Sequence, residues 1–198
     1  RQGANVSGVD ISPEQIKAAQ YLASEQGLEI DFRVASAEEL PWNIPKFDIA
    51  TANQCWLYFD KAKVLGELRR VLRAGGWLVT SHFSWLPRQD EIARRTEELV
   101  LKFNSDWSAA DWSGEIPPMP SWAGDELRLR GMFFYDEPIR FTRESWRGRI
   151  RACRGVGATM NDEEVAEFDA AHDKLLRELV AEEFNVLHRI DAHIFEFI

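Results

Sequence analysis

The first half of the chain alternates short strand signals with single helices, and this alternation constrains the fold more than any other feature. Asn5–Asp10 is a short apolar run ending Gly8-Val9-Asp10. Ser12-Pro13-Glu14-Gln15 then opens a helix. Serine is its cap, proline takes the first helical position where the missing N–H costs nothing, and Gln15 is placed to close a capping box. Ile16, Ala19, Leu22 and Ala23 give that helix an apolar face, and Gly27 stops it. Ile30, Phe32 and Val34 alternate with charged residues, which predicts a strand, and Phe47–Ala52 is a third. Asp60 caps a second helix with the stripe Val64, Leu65, Leu68, Val71 and Leu72. The pair Gly75-Gly76 is expected to end it, and Trp77–Ser81 is a fourth strand. Parallel strands need a crossover between them, usually a helix. Strands separated by single helices therefore predict an α/β fold, a mostly parallel sheet with helices on both faces.

The second half reads differently. Asp90–Phe103 has helical spacing at Ile92, Thr96, Leu99 and Phe103. Asn104–Gly124 has no periodicity and holds Trp107, Trp112, Met119 and Trp122 among Pro117, Pro118 and Pro120. A long irregular stretch in a compact domain is usually functional or mobile, so a cover over an apolar substrate is one expectation. Tryptophans anchoring a loop to the core is the other. Met132–Phe141 is a strand, and Thr142 caps a short helix with Trp146, Ile150 and Cys153 on one face. Asn161 and Glu164 form a capping box before a helix bearing Val165, Phe168, Leu175, Leu176, Leu179 and Val180. Val186–Ile198 is strongly β-prone. No linker separates two domains. One domain is expected, with a core over 1–84, an insertion over 85–131 and a strand–helix–strand over 132–198.

Charge and cysteine content narrow the function. The chain's 24 basic and 33 acidic residues in 198 leave −9, which argues against a nucleic-acid partner. Its longest uncharged stretch, Ala74–Pro87, falls short of the roughly 20 apolar residues that cross a bilayer. Cys55 and Cys153 form no CxxC pair, which fits a reducing compartment, and the expected location is cytoplasmic. No His/Cys/Asp/Glu grouping has metal-ligand spacing. His82, after the strand Trp77–Ser81, is the best-placed general base, with a polar rim histidine as the bland alternative. His172, His188 and His193 are expected to be structural or solvent-facing. Arg143, Arg147, Arg151 and Arg154 share a helix face. They either pair with the acidic helix at Glu163, Glu164, Glu167 and Asp169 or, through Arg147, clamp an anionic substrate.

Five segments in order carry a family resemblance: Gly8-Val9-Asp10, Ser36-Ala37-Glu38-Glu39-Leu40-Pro41-Trp42, Phe47-Asp48-Ile49-Ala50, Asn53–Asp60, and Glu67 to Gly76. Together they resemble the class I S-adenosylmethionine-dependent methyltransferases. The likeness is to the type 11 methyltransferase domain and its aconitate-methyltransferase-like relatives, and is clear over Val6–Ser84. The resemblance implies a Rossmann-like sheet ending in an antiparallel strand. It also implies S-adenosylmethionine as donor, S-adenosylhomocysteine as product and a small-molecule acceptor, and leaves a homo-oligomer open. It makes Asp10 the ribose-binding acid, Ile11 the residue on the adenine ring, and Ser36, Ala37 and Glu38 the adenine edge. Where relatives have an acid before the alanine, this chain has Ser36. Asn53 and Gln54 match the segment beneath the methionine moiety. Trp56, Tyr58, Trp107, Trp112, Trp122 and Arg147 are the substrate-side candidates. The family's first strand and its glycine-rich loop belong before the strand ending at Asp10 and are absent from this sequence. The strand ending at Asp10 and the strand Phe47–Ala52 are therefore expected not to be neighbours. Two rivals remain: a nicotinamide-dependent oxidoreductase, since a Gly-Val-Asp strand end serves NAD equally, and a catalytically inactive binding module.

Overall fold

The computed structural model describes residues 3–198. In chain order they form β1 (Ser7–Asp10), α1 (Pro13–Glu25), β2 (Asp31–Val34), β3 (Phe47–Asn53), a 3-10 turn (Trp56–Tyr58) and α2 (Lys61–Val71). There follow β4 (Leu72–Trp85), α3 (Glu91–Phe103), β5 (Leu127–Thr142), α4 (Arg143–Arg151), α5 (Asp162–Leu179) and β6 (Glu183–Phe197). These residues make two compact units. Unit 1 is Arg1–Ser81 with Met119–Met132 and Ala192–Ile198; unit 2 is His82–Pro118 with Phe133–Asp191. The break anticipated at residue 84 thus falls at Ser81/His82. The stretch 85–131, anticipated as one insertion, is divided between the units.

β1 and β2 pair in parallel as one sheet, and the second sheet has the order β3-β4-β6-β5. β3 and β4 are also parallel. β6 runs against both its neighbours. The Ile198 amide donates to Glu126 O just before β5, whereas the Arg143 amide just after β5 donates to Glu182 O just before β6. Likewise the Leu86 amide donates to Leu187 O, while His82, earlier in β4, meets Asp191, later in β6. A mostly parallel sheet with its antiparallel strand, the last in the chain, set between β4 and β5 is a Rossmann-like arrangement. Among the described residues β1 is not hydrogen-bonded to β3, as expected.

Several local expectations need correction. Leu72 adopts φ −81 and ψ 148, so α2 ends at Val71 and not at the glycine pair. Leu72 already pairs with Phe47, and Trp77 with Ile49, so the residues between them loop out of register against β3. Gly75 takes φ +72 in this bulge, a conformation that costs glycine little. A Cβ on Gly76 would lie 2.8 Å from Leu72 Cβ and 2.9 Å from Arg73 O. Gly76→Ala should therefore destabilise unit 1 by about 1–3 kcal/mol, read from the midpoint of urea unfolding. An unchanged midpoint would mean that the bulge has room to spare. In α1 only Ile16 and Ala23 are buried, and Leu22 is exposed. The buried face of α3 is Ala93, Thr96, Glu97 and Val100; of the expected stripe Thr96 is buried, Ile92 and Leu99 are partly buried and Phe103 is exposed.

The core of unit 1 packs Val64, Leu65 and Leu68 of α2 against Leu72 and Leu78 of β4, with Leu127, Phe195 and Phe197. That of unit 2 packs Ala93 and Val100 of α3 against Trp146, Ile150, Phe168, Leu176 and Val186. His172 sits in this second core, fully buried on α5. Its Nε2 is 3.3 Å from Thr96 Oγ1, which in turn accepts from Trp146 Nε1 at 3.1 Å. Burial pushes the imidazole down from 6.5 to about 4; Arg147 and Arg151 add to this and Asp169 opposes it. The unfolded chain takes up this proton near pH 6.5 and the folded one only near pH 4. The stability His172 contributes is therefore complete above pH 6.5 and is lost as pH falls toward 4, by up to about 3 kcal/mol. His172→Leu should flatten that part of the stability-versus-pH curve. An equally steep curve would place the acid sensitivity elsewhere.

Candidate active site

The candidate cofactor residues lie at the carboxyl ends of parallel strands in unit 1, the end at which open α/β sheets bind ligands. Asp10 closes β1. Its Oδ1 accepts from the Ser12 amide at 2.8 Å, which fixes the carboxylate at the entrance to α1. Its Oδ2 has no partner among the described residues. Ile11 beside it is 75% exposed, an apolar surface with nothing over it. After β2, Ser36 and Glu38 bond to each other. Glu38 Oε1 also accepts from the Asp60 amide at 3.0 Å. Both Glu38 oxygens are thus engaged within the chain. Glu38 ties the Ser36–Glu39 turn to the cap of α2, and the Ala37 amide is left without a partner among the described residues.

β3 ends at Asn53, whose Oδ1 accepts from Ser81 Oγ at 2.7 Å, leaving its amide nitrogen open. Gln54 follows with φ +62, an uncommon conformation for a non-glycine residue, held by its amide donating to Ser81 O at 2.8 Å. Backbone strain of this kind collects at functional sites. Next is Cys55, whose thiol is pushed up by burial, with the Asp10 carboxylate adding to the shift. A raised thiol is no nucleophile.

The aromatic candidates divide. Trp56 is 2% exposed, packed on Trp122 at 4.8 Å and on Phe59 at 5.9 Å, so it belongs to the core of unit 1. Trp122 also meets Phe195 at 5.3 Å and anchors its segment there. Tyr58 is 47% exposed in the turn after β3. In unit 2, Trp107 lies against Gly155, where a Cβ would stand 2.8 Å from its ring, and Trp112 is half-buried. For Trp56, Trp107 and Trp122 the anchoring alternative describes the contacts better than a substrate lining. The nearby residues Ser113–Pro117 instead line a surface groove of about 590 Å³ with Phe134 and Arg189. Arg189 is fixed by Asp136 through two bonds of 2.6 Å and donates to Gly114 O.

Arg147 is bound by Asp169, by Asp173 at 3.1 Å and by Glu144 at 3.1 Å, and these carboxylates hold its guanidinium even further up than usual. Arg151 shares Asp169. The arginine face thus pairs with α5, and Arg147 has no fork free to clamp a substrate anion. Asp169 was expected in that pairing; Asp173 was not. His188 is fully buried, its Nδ1 donating to Val186 O at 2.9 Å, and burial pushes it down. His193 is buried against Phe195. His82 lies within β4, which runs past Ser81 to Trp85, and its Nδ1 is 3.1 Å from Asp191 Oδ1. Sequence reasoning missed Asp191. Its signal is an acid inside an apolar terminal strand, which is rarely buried unless paired. Among the described residues no group of three or more His, Cys, Asp and Glu is placed to hold a metal, and no helix is long and apolar enough to cross a membrane.

A strand-end acid with an open oxygen, an exposed apolar neighbour and a mixed sheet with one antiparallel strand are the features that the resemblance to class I S-adenosylmethionine-dependent methyltransferases implies. Residues 1–80 match the type 11 methyltransferase domain. The chain is 32% identical to ajmaline N-methyltransferase of Rauvolfia serpentina over 124 residues, covering 57% of this chain and 43% of that protein. It is 29% identical to a ubiquinone biosynthesis O-methyltransferase of Cereibacter sphaeroides over 140 residues, covering 68% and 57%. The matched stretch therefore spans about half the length of these relatives. The fold matches that of geranyl diphosphate methyltransferase, solved in complex with S-adenosylmethionine, with a TM-score of 0.51 at 18% identity over 100% of this chain and 71% of that one.

Proposed function

We propose that the chain uses S-adenosylmethionine to methylate a hydroxyl or amine of a small molecule. The observation that carries this reading is Asp10: a carboxylate at the end of β1, held by the Ser12 amide on one oxygen and open on the other. Its open oxygen suits a ribose hydroxyl, Ile11 offers the adenine a flat apolar contact, and the unpartnered Ala37 amide suits a ring nitrogen. The residues present thus fit the donor's nucleoside. When bound, the donor supplies an electrophilic methyl group on a sulfonium. The acceptor's proton is taken by His82, the residue after Ser81 in β4. Relatives that methylate oxygen and nitrogen support this choice of acceptor atoms, and the antiparallel β6 favours the methyltransferase over an all-parallel dinucleotide fold.

Asp10→Ala should weaken S-adenosylhomocysteine binding by about 1.5–3 kcal/mol, roughly ten- to a hundredfold, the scale of a hydrogen bond to a charged group. Calorimetric titration of the folded variant checks this. An unchanged dissociation constant would remove Asp10 from the site.

A further inference from the structure

His82 and Asp191 face each other across β4 and β6. The Leu86 amide bonds Leu187 O, and in that antiparallel register the residue four back along β4 stands opposite the residue four on along β6. Opposed residues of an antiparallel pair project to one face, which is why the side chains meet at 3.1 Å. The Asp191 side chain is only 4% exposed and that of His82 22%. A carboxylate so buried needs a hydrogen bond. Ionised, it has no proton to give, so His82 Nδ1 carries the hydrogen and donates it. In the neutral ring the lone pair is then on Nε2. His82 Nε2 has no partner among the described residues, nor is it one of their buried, unpaired polar atoms. His172 and His188 differ: each is fully buried and has one ring nitrogen sealed from solvent without a partner.

We infer that Asp191 is a positioning residue, which fixes the tautomer and orientation of His82 so that Nε2 is the proton acceptor. This rests on the reading of His82 as the base. The acceptor's oxygen or nitrogen forms its bond to the methyl carbon as the carbon–sulfur bond breaks toward sulfur. Its proton goes to Nε2, and the imidazolium keeps Nδ1–H on Asp191. The products are a methyl ether or methylamine, the thioether and one bound proton. The carboxylate both orients the ring and stabilises the charge that forms on it.

Long-range ¹⁵N–¹H spectra at pH 8, where an ordinary imidazole is neutral, read the tautomer without any ligand. Comparison with His82→Gln identifies the His82 signals. The expected spectrum has Nδ1 protonated and Nε2 bare. Asp191→Asn, whose amide can donate to Nδ1, should shift the proton toward Nε2, and Asp191→Glu should restore the original pattern in part. A wild-type proton on Nε2 overturns the inference even if no Asp191 variant folds, as does an unchanged tautomer in a folded Asp191→Asn. With catechol and S-adenosylmethionine, Asp191→Asn should lower kcat roughly 10–100-fold with little change in KM. Full turnover by His82→Gln beside the expected tautomer would instead overturn the reading of His82 as base, so the two failures are told apart.

Discussion

Replacing His82 with alanine should slow methyl transfer by about 10²–10⁴-fold while leaving S-adenosylhomocysteine affinity unchanged. A neutral hydroxyl or a protonated amine is a poor nucleophile until its proton leaves, and Nε2 of His82 is a partly exposed imidazole nitrogen with no partner among the described residues. Its other nitrogen is held by a buried acid, so the ring is oriented before any acceptor arrives. The loss should fall on kcat, because the proton moves in the transition state and not on binding. Production of S-adenosylhomocysteine, followed with an acceptor bearing O–H or N–H, measures it. A rate within twofold of wild type would mean that the acceptor is already anionic, as a carboxylate is, and that His82 has no part in the chemistry.

The largest effect on stability should come from Trp146→Ala, about 3–5 kcal/mol. Trp146 is fully buried at the centre of unit 2, edge-on to Trp85 at 5.5 Å, Phe141 at 5.0 Å and His188 at 5.9 Å. Truncation removes the largest side chain of that core and leaves a cavity among rings that cannot collapse into it. It also takes away the N–H that donates to Thr96 Oγ1 at 3.1 Å, leaving a buried hydroxyl short of one bond. Trp146→Phe should cost less, because most of the volume stays and only the hydrogen bond and part of the ring are lost. Urea unfolding followed by circular dichroism gives both values. A cost for alanine below about 1 kcal/mol would show that unit 2 repacks around the gap.

What was legible in the sequence follows the range of the signals. The caps at Ser12, Asp60, Thr142 and Asn161 are local, and each accepts from a backbone amide in the first turn of its helix. The β–α alternation fixed the parallel pairs for the same reason. The place of Asp10 at the end of β1 was legible because a strand end and a helix start lie within a few residues of it. The glycine pair misled because Gly-Gly after an apolar stripe reads as a helix stop, and only the pairing of Leu72 with Phe47 shows that a strand has already begun. Glu38 and Arg147 looked available for ligands because their partners, Asp60 and Asp169, are distant in sequence. Asp191 was invisible for a like reason. It is paired with a residue 109 positions away, and only the register of β4 against β6 brings the two together.

The central claim is that this site takes the nucleoside of S-adenosylmethionine, and calorimetric titration of the chain tests it most directly. S-adenosylhomocysteine should bind saturably at one site per chain, and NADH at the same concentrations should give no heat of binding. Saturable binding of NADH with none of S-adenosylhomocysteine would contradict the account and return the strand-end acid Asp10 to a dinucleotide.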